Sequence, residues 1–160
     1  MRTVLVSLRP LEASDLAIFF DHQRDPVAMH MVAFASRDPN DRDAFLAHWT
    51  RISALPTGVH RTILADGAVA GYVAKFEHEE LPEVCYVLGR EHWGRGIATR
   101  ALAMLLEEVR VRPVFASVAH DNIGSRRVLE KCGFREVARV RAFAQARGNQ
   151  EIEEIRYELR

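Results

Sequence analysis

The sequence predicts an α/β (α+β) domain, one mixed central sheet flanked by helices. Three observations carry this. Short runs of alternating apolar residues recur and are interrupted by segments of helical spacing. Asp66-Gly67, a dipeptide favoured in tight hairpin turns, separates two such runs. The 160 residues are 48% hydrophobic and 28% charged, which suits one domain with a sizeable core, so 1–160 is read as a single unit.

Thr3 to Leu8 is β-branched and alternates weakly, so it reads as the first strand. Its apolar stretch is too short for a signal peptide. Leu16, Phe19, Phe20 and Gln23 follow helical spacing, which stops near Asp25-Pro26. Residues 26–39 read as irregular. Asp41 is placed to cap a second helix whose apolar face is Phe45, Trp49 and Ile52. The hairpin arms are Arg61 to Ala65 and Ala68 to Phe76. Residues 77–82 read as an acidic loop, and Glu83 to Leu88 as a strand. A long helix spans Ile97 to Arg110, with Ala98, Leu102, Leu105 and Val109 as its buried stripe. Val114 to Ala119 is a strand, and Ile123 to Cys132 a short helix capped by Gly133. Two alternating strands, around Ala138–Ala142 and Ile155–Leu159, close the chain across a polar turn at 145–150.

Composition narrows the function. Lys plus Arg number 22 and Asp plus Glu number 22, so the formal net charge is zero. That argues against a nucleic-acid partner held by a strongly basic face. No apolar run reaches the roughly 18 residues of a membrane span, so no membrane partner is expected and the expected location is cytoplasmic. Cys85 and Cys132 are the two cysteines, with no CxxC and no HExxH in the chain. Neither a disulfide framework nor a metal site is expected. Both cysteines read as buried structural residues.

The most informative segment is Leu88-Gly89-Arg90-Glu91-His92-Trp93-Gly94-Arg95-Gly96-Ile97-Ala98-Thr99. It joins a strand to the long helix. Gly94 and Gly96 permit unusual dihedrals and close approach. The helix start offers unpaired N–H groups and a partial positive charge, an anion cradle suited to phosphate. Arg90 and Arg95 are candidates to add charge-assisted bonds. The alternative is a tight turn with no ligand. A Rossmann loop needs a third glycine where Thr99 stands, and a P-loop needs G-K-[ST], which is absent.

Trp93-Gly94-Arg95-Gly96-Ile97-Ala98 resembles the acetyl-CoA loop of the GNAT N-acetyltransferases, [QR]-x-x-G-x-[GA], with Trp in the first position. Asn122-Ile123-Gly124-Ser125 through Glu130-Lys131-Cys132-Gly133-Phe134 is similar to the N-x-x-S-x-x-x-x-E-K-x-G-F signature of its RimJ/RimL-like branch. Leu8-Arg9-Pro10-Leu11, Asp15 and Asp25-Pro26 resemble that branch's opening. The resemblance covers nearly the whole chain. It implies a mostly antiparallel GNAT sheet and transfer of acetyl from acetyl-CoA to a primary amine by direct attack in a ternary complex.

Site residues follow from the resemblance. The strand before the loop splays from its neighbour, so that Val87 and Leu88 hold the pantetheine arm. The pyrophosphate sits on amides from Gly94 to Thr99, that is Gly94, Arg95, Gly96, Ile97, Ala98 and Thr99, beside Trp93. Asn122 meets the pantetheine and Arg127 the nucleotide phosphates, with a solvated helix face as the alternative for Arg126 and Arg127. An ammonium of reference pKa about 10.4 must lose a proton before it attacks, and Glu83 is the first candidate base. A solvent-facing strand-end carboxylate is the alternative, and Glu77, His78, Glu79 and His120 are reserves. The Tyr acid of many relatives is replaced by Leu129, which leaves Ser125 nearest the leaving sulfur. Arg100 stands where branch relatives often carry Glu. A homodimer is the family habit. The acceptor reading is a protein or peptide α-amine, with a small amine such as an aminoglycoside or polyamine as alternative. A non-catalytic acyl-CoA-binding module and a dinucleotide binder are the competing classes.

Overall fold

A computed structural model describes residues 3–34 and 38–160. The first strand, β1, runs Val6–Pro10, two to three residues later than expected. It lies at the sheet edge, where a proline at the strand's end is tolerated. Helix α1 (Asp15–Gln23) follows. Its first carboxylate, Asp15, is 2% exposed. It takes two bonds from Arg9 at 2.7 and 2.8 Å and one from Thr62 Oγ1 at 2.6 Å. These pin the helix start to the sheet.

Residues 26–39 are not irregular throughout: helix α2 occupies Pro26–Val32. Asp25 Oδ1 accepts from Val27 N at 3.0 Å, and Pro26 takes the first helical position. Asp-Pro ends one helix here and starts the next. Part of that expectation, 35–37, falls outside the described residues. Asp41 caps the following helix, α3 (Arg42–Ser53), by accepting from Ala44 N at 3.0 Å.

Strands β2 (Val59–Ala65) and β3 (Ala68–His78) form the hairpin on Asp66-Gly67, both with positive φ. The expected acidic loop at 77–82 is instead a second tight hairpin. Only two residues, Glu79 and Glu80, separate the end of β3 from strand β4 (Leu81–Leu88). Glu79 and Glu80 hold φ of +50° and +66°, a conformation glutamate rarely adopts, so composition hides this turn. Helix α4 (Ile97–Glu108), strand β5 (Val114–Ala119) and helix α5 (Ile123–Lys131) come next. Gly133 at φ +93° lets Phe134 N return to the Leu129 carbonyl, which ends α5. Strands β6 (Arg135–Ala144) and β7 (Gln150–Leu159) complete the chain.

The seven strands lie in the order β1-β2-β3-β4-β5-β7-β6. Every pair is antiparallel except β4–β5. On one face Val84 and Leu88 of β4 join Ile97, Leu102 and Leu105 of α4, Leu129 of α5 and Tyr157 of β7. Each such large apolar side chain contributes about 1.5–3 kcal/mol by leaving water. On the other face Phe19, Phe20, Phe45 and Trp49 pack with Tyr72. The expected core role of Phe45 and Trp49 holds. No described helix is long and apolar enough to cross a membrane.

Candidate active site

The site begins where β4 and β5 part. Their parallel pairing has one registered partner pair, Glu83 with Phe115. Beyond Glu83 the edge of β4 facing β5 is unpaired among the described residues, although its other edge stays on β3 through Leu88. Val87 and Leu88 lie in this opened stretch. A free strand edge presents amides and carbonyls at β spacing, which an extended amide-bearing chain can pair with. The Leu88 carbonyl accepts from Trp93 Nε1 at 3.1 Å, so Trp93 folds the loop back over the end of the strand.

The loop then enters α4. Gly94 and Gly96 have φ of +72° and +75°, and a Cβ built at either meets nothing within 4 Å. Conformation, not crowding, therefore requires glycine, and the space beside the loop is open. Gly96 is the N-cap and offers no side chain to the helix. The first helical bond is Arg100 N to the Gly96 carbonyl. The amides of Ile97, Ala98 and Thr99 thus have no intrahelical acceptor. This fits a phosphate or pyrophosphate. Of the two candidate arginines, Arg95 is exposed beside the loop, whereas Arg90 turns away and pairs with Asp25 at 3.0 Å. Arg100 bonds the Val4 carbonyl, so it ties the helix start to the entry of β1.

Across the opening stands the first turn of α5. Asn122 Oδ1 accepts from Ser125 N at 3.2 Å, and its Nδ2 donates to the Met31 carbonyl at 3.2 Å. One lone pair and one hydrogen of that amide remain for a ligand. Arg126 is structural: it donates to the Tyr157 hydroxyl and to the His120 carbonyl, both at 3.0 Å. Arg127 is exposed. Leu129 is wholly buried in the core. Ser125 Oγ lies 2.8 Å from the hydroxyl of Tyr86, a β4 residue.

Glu83 is 5% exposed, and its Oε2 is buried without a hydrogen-bond partner among the described residues. Burial pushes its carboxyl above the ordinary glutamate range; His78 and Arg156 pull the other way. Arg156 approaches Glu83 Oε2 to 3.7 Å and Glu154 Oε1 to 4.0 Å. Burial raises Glu154 too. The other carboxylates and histidines are less suited to act as base. Glu77 pairs with Lys75, and His78 and Glu79 sit exposed 3.9 Å apart. His120 Nδ1 faces the Glu153 carbonyl at 3.2 Å. Burial lifts the Cys85 thiol to about 12, so it stays protonated near neutrality. Cys132 donates to the Thr99 carbonyl at 3.5 Å.

Tyr86, Glu154 and Arg156 escape a sequence reading. In sequence Glu154 and Arg156 are merely the polar half of an alternating strand. Their meeting with Glu83 depends on β7 lying beside β5: Phe115 pairs with Glu83 on one side and Glu158 on the other.

The comparisons agree with this fold. Residues 6–135 match the family described as the acetyltransferase (GNAT) domain. No curated protein matches the chain by sequence. Among solved structures, the yncA putative acetyltransferase of Salmonella typhimurium, held with acetyl-CoA, is 18% identical with a TM-score of 0.79, covering 97% of this chain and 93% of its own. Mycobacterium smegmatis RimJ, in complex with CoA-disulfide, is 24% identical with a TM-score of 0.77, covering 98% and 84%. The Vibrio cholerae spermidine N-acetyltransferase, with CoA and spermine, is 18% identical with a TM-score of 0.80, covering 96% and 94%. At these identities the likeness is one of fold. The family match spans most of the chain, and the protein belongs to the acetyltransferase (GNAT) domain family.

Proposed function

We propose that this acetyltransferase acts on a primary amine by direct attack, with both substrates bound together. The buried Glu83 carboxylate at the point where β4 and β5 part, its Oε2 without a hydrogen-bond partner among the described residues and 3.7 Å from Arg156, is the observation that carries the reading. Acetyl-CoA supplies the activated acyl group. The open β4 edge at Val87 and Leu88 holds its pantetheine. The amides from Gly94 to Thr99 hold its pyrophosphate, with Trp93 closing the loop, Arg95 and Arg127 near the nucleotide phosphates, and Asn122 on the α5 side. Glu83 takes the proton of the incoming ammonium, directly or through a water. Ser125 gives a hydrogen bond to the departing sulfur. A thiol of reference pKa about 8.5 leaves readily, so one hydroxyl donor suffices without a stronger acid.

For the acceptor we infer a protein or peptide α-amine, on the strength of the Asn122–Phe134 signature. One observation favours a small polycationic amine instead: Glu79 at the β3–β4 turn and Glu154 both add negative charge near Glu83. A turnover panel decides between them. CoA thiol release is followed with peptides of varied first residue and with polyamines at matched concentrations. Release confined to peptides supports the α-amine. Release confined to polyamines replaces it. Binding of acetyl-CoA with no release from any amine would reduce the protein to an acyl-CoA-binding module.

A further inference from the structure

The proposed reaction leaves a thiolate, and the inference below rests on Ser125 being the group beside it. What orients Ser125 comes from a different strand. Tyr86 lies on β4 past Glu83, in the stretch that has parted from β5. Its side chain crosses to α5, where its hydroxyl lies 2.9 Å from the Ser125 carbonyl oxygen and 2.8 Å from Ser125 Oγ. A carbonyl carries no hydrogen, so Tyr86 donates to it. The Ser125 amide is held separately by Asn122. A serine hydroxyl left alone samples three staggered positions. This one is confined by a phenol whose own ring is packed against the main core. The phenol has one hydrogen and two serine oxygens within reach.

We propose that Tyr86 is a positioning residue for the leaving thiolate. It fixes Ser125 Oγ beside the β4–β5 opening. By donating to Oγ as the sulfur gains charge, it lets Ser125 turn its own hydrogen to the sulfur. In the step served, the nitrogen–acyl bond forms, the carbon–sulfur bond breaks and its electron pair goes to sulfur. The ammonium gives one proton to Glu83 before it attacks, the nitrogen sheds its second proton to water as the amide forms, the sulfur leaves as thiolate, and Ser125 and Tyr86 keep their covalent hydrogens. This accounts for how the chain manages with Leu129 buried in the core: a tyrosine reaches the same helix from the strand opposite.

The test is a pH titration of the thiol of bound CoA, read by thiolate ultraviolet absorbance, and it needs no acceptor. The proteins are wild type, Tyr86→Phe, Ser125→Ala and the double variant. A hydrogen bond to the charged form favours it, so wild type should titrate bound CoA about one pH unit below free CoA. Ser125→Ala should remove that shift, Tyr86→Phe should remove most of it, and the double variant should match Ser125→Ala. A Tyr86→Phe protein titrating like wild type overturns the proposal. So does a Tyr86→Phe effect that persists in the Ser125→Ala background, which would mark a packing role. If Ser125→Ala titrates like wild type, the Ser125 assignment fails and takes the Tyr86 proposal with it. If wild type binds no CoA, the ligand assignment fails first and overturns both.

Discussion

The two halves of the site are built on different principles. The half proposed to face acetyl-CoA is mostly backbone: the open β4 edge, two glycines of positive φ and three amides at the start of α4 without intrahelical acceptors. The half proposed to face the acceptor is side chains gathered from distant strands: Glu83 on β4, with Glu154 and Arg156 on β7. Backbone geometry restricts residue type at fixed spacing. A side-chain cluster demands only that a sheet order bring its members together.

The harshest way to break this contrast is Gly96→Glu. The substitution puts a carboxylate beside the amide cradle and forces a left-handed φ on a side-chain residue, itself a cost of about 1–2 kcal/mol. Stabilisation of the protein by acetyl-CoA in thermal melts should vanish, while circular dichroism shows a folded chain. Retained stabilisation would remove the loop from the cofactor site.

Glu83→Gln should strike the other half alone. Turnover should fall about 100-fold, with acetyl-CoA affinity unchanged. In wild type, turnover should fall on the acid side at a pH above the ordinary glutamate range, because burial raises that carboxyl. Its stability sign is also fixed. A carboxyl raised in the folded state contributes stability below its unfolded value and loses it as pH rises through the folded value. Glu83→Gln should therefore melt higher than wild type at neutral pH, relative to the difference near pH 4. An unchanged rate profile would show that Glu83 is not the base.

Leu129→Tyr sharpens the comparison differently. Leu129 is wholly buried, so a tyrosine there should cost about 1–3 kcal/mol by overpacking and restore no acid function. A faster enzyme of equal stability would contradict the structure. The smallest effect is expected outside the site. Arg9 holds Asp15 down to about 2, a stability contribution present above the ordinary aspartate value and lost as pH falls through the folded one. Asp15→Asn should cost about 1–2 kcal/mol at neutral pH, after discounting for solvent around Arg9, and the difference should vanish only below the folded value.

This contrast also explains what the sequence reveals. Gly94, Gly96, Asn122 and Gly133 announce themselves, because positive φ and caps need particular residues. The strands and helices from Val59 onward follow from periodicity and turn chemistry. The reading fails where a signal has two meanings or none. Asp25-Pro26 marks both an end and a start, so α2 is missed. Glu79-Glu80 makes a tight turn without a turn residue. Glu154 and Arg156 become site neighbours only through the crossing that sets β7 against β5, and Tyr86 only through the parting of β4 from β5.

The central claim is that the parted strands and the α4 amides hold acetyl-CoA and not another nucleotide. Calorimetric titration of the purified protein with acetyl-CoA, and with NAD in parallel, tests it most directly. The account predicts one acetyl-CoA bound per chain at micromolar concentration and no heat from NAD. Folded protein that ignores acetyl-CoA, or that takes up NAD equally well, would contradict it.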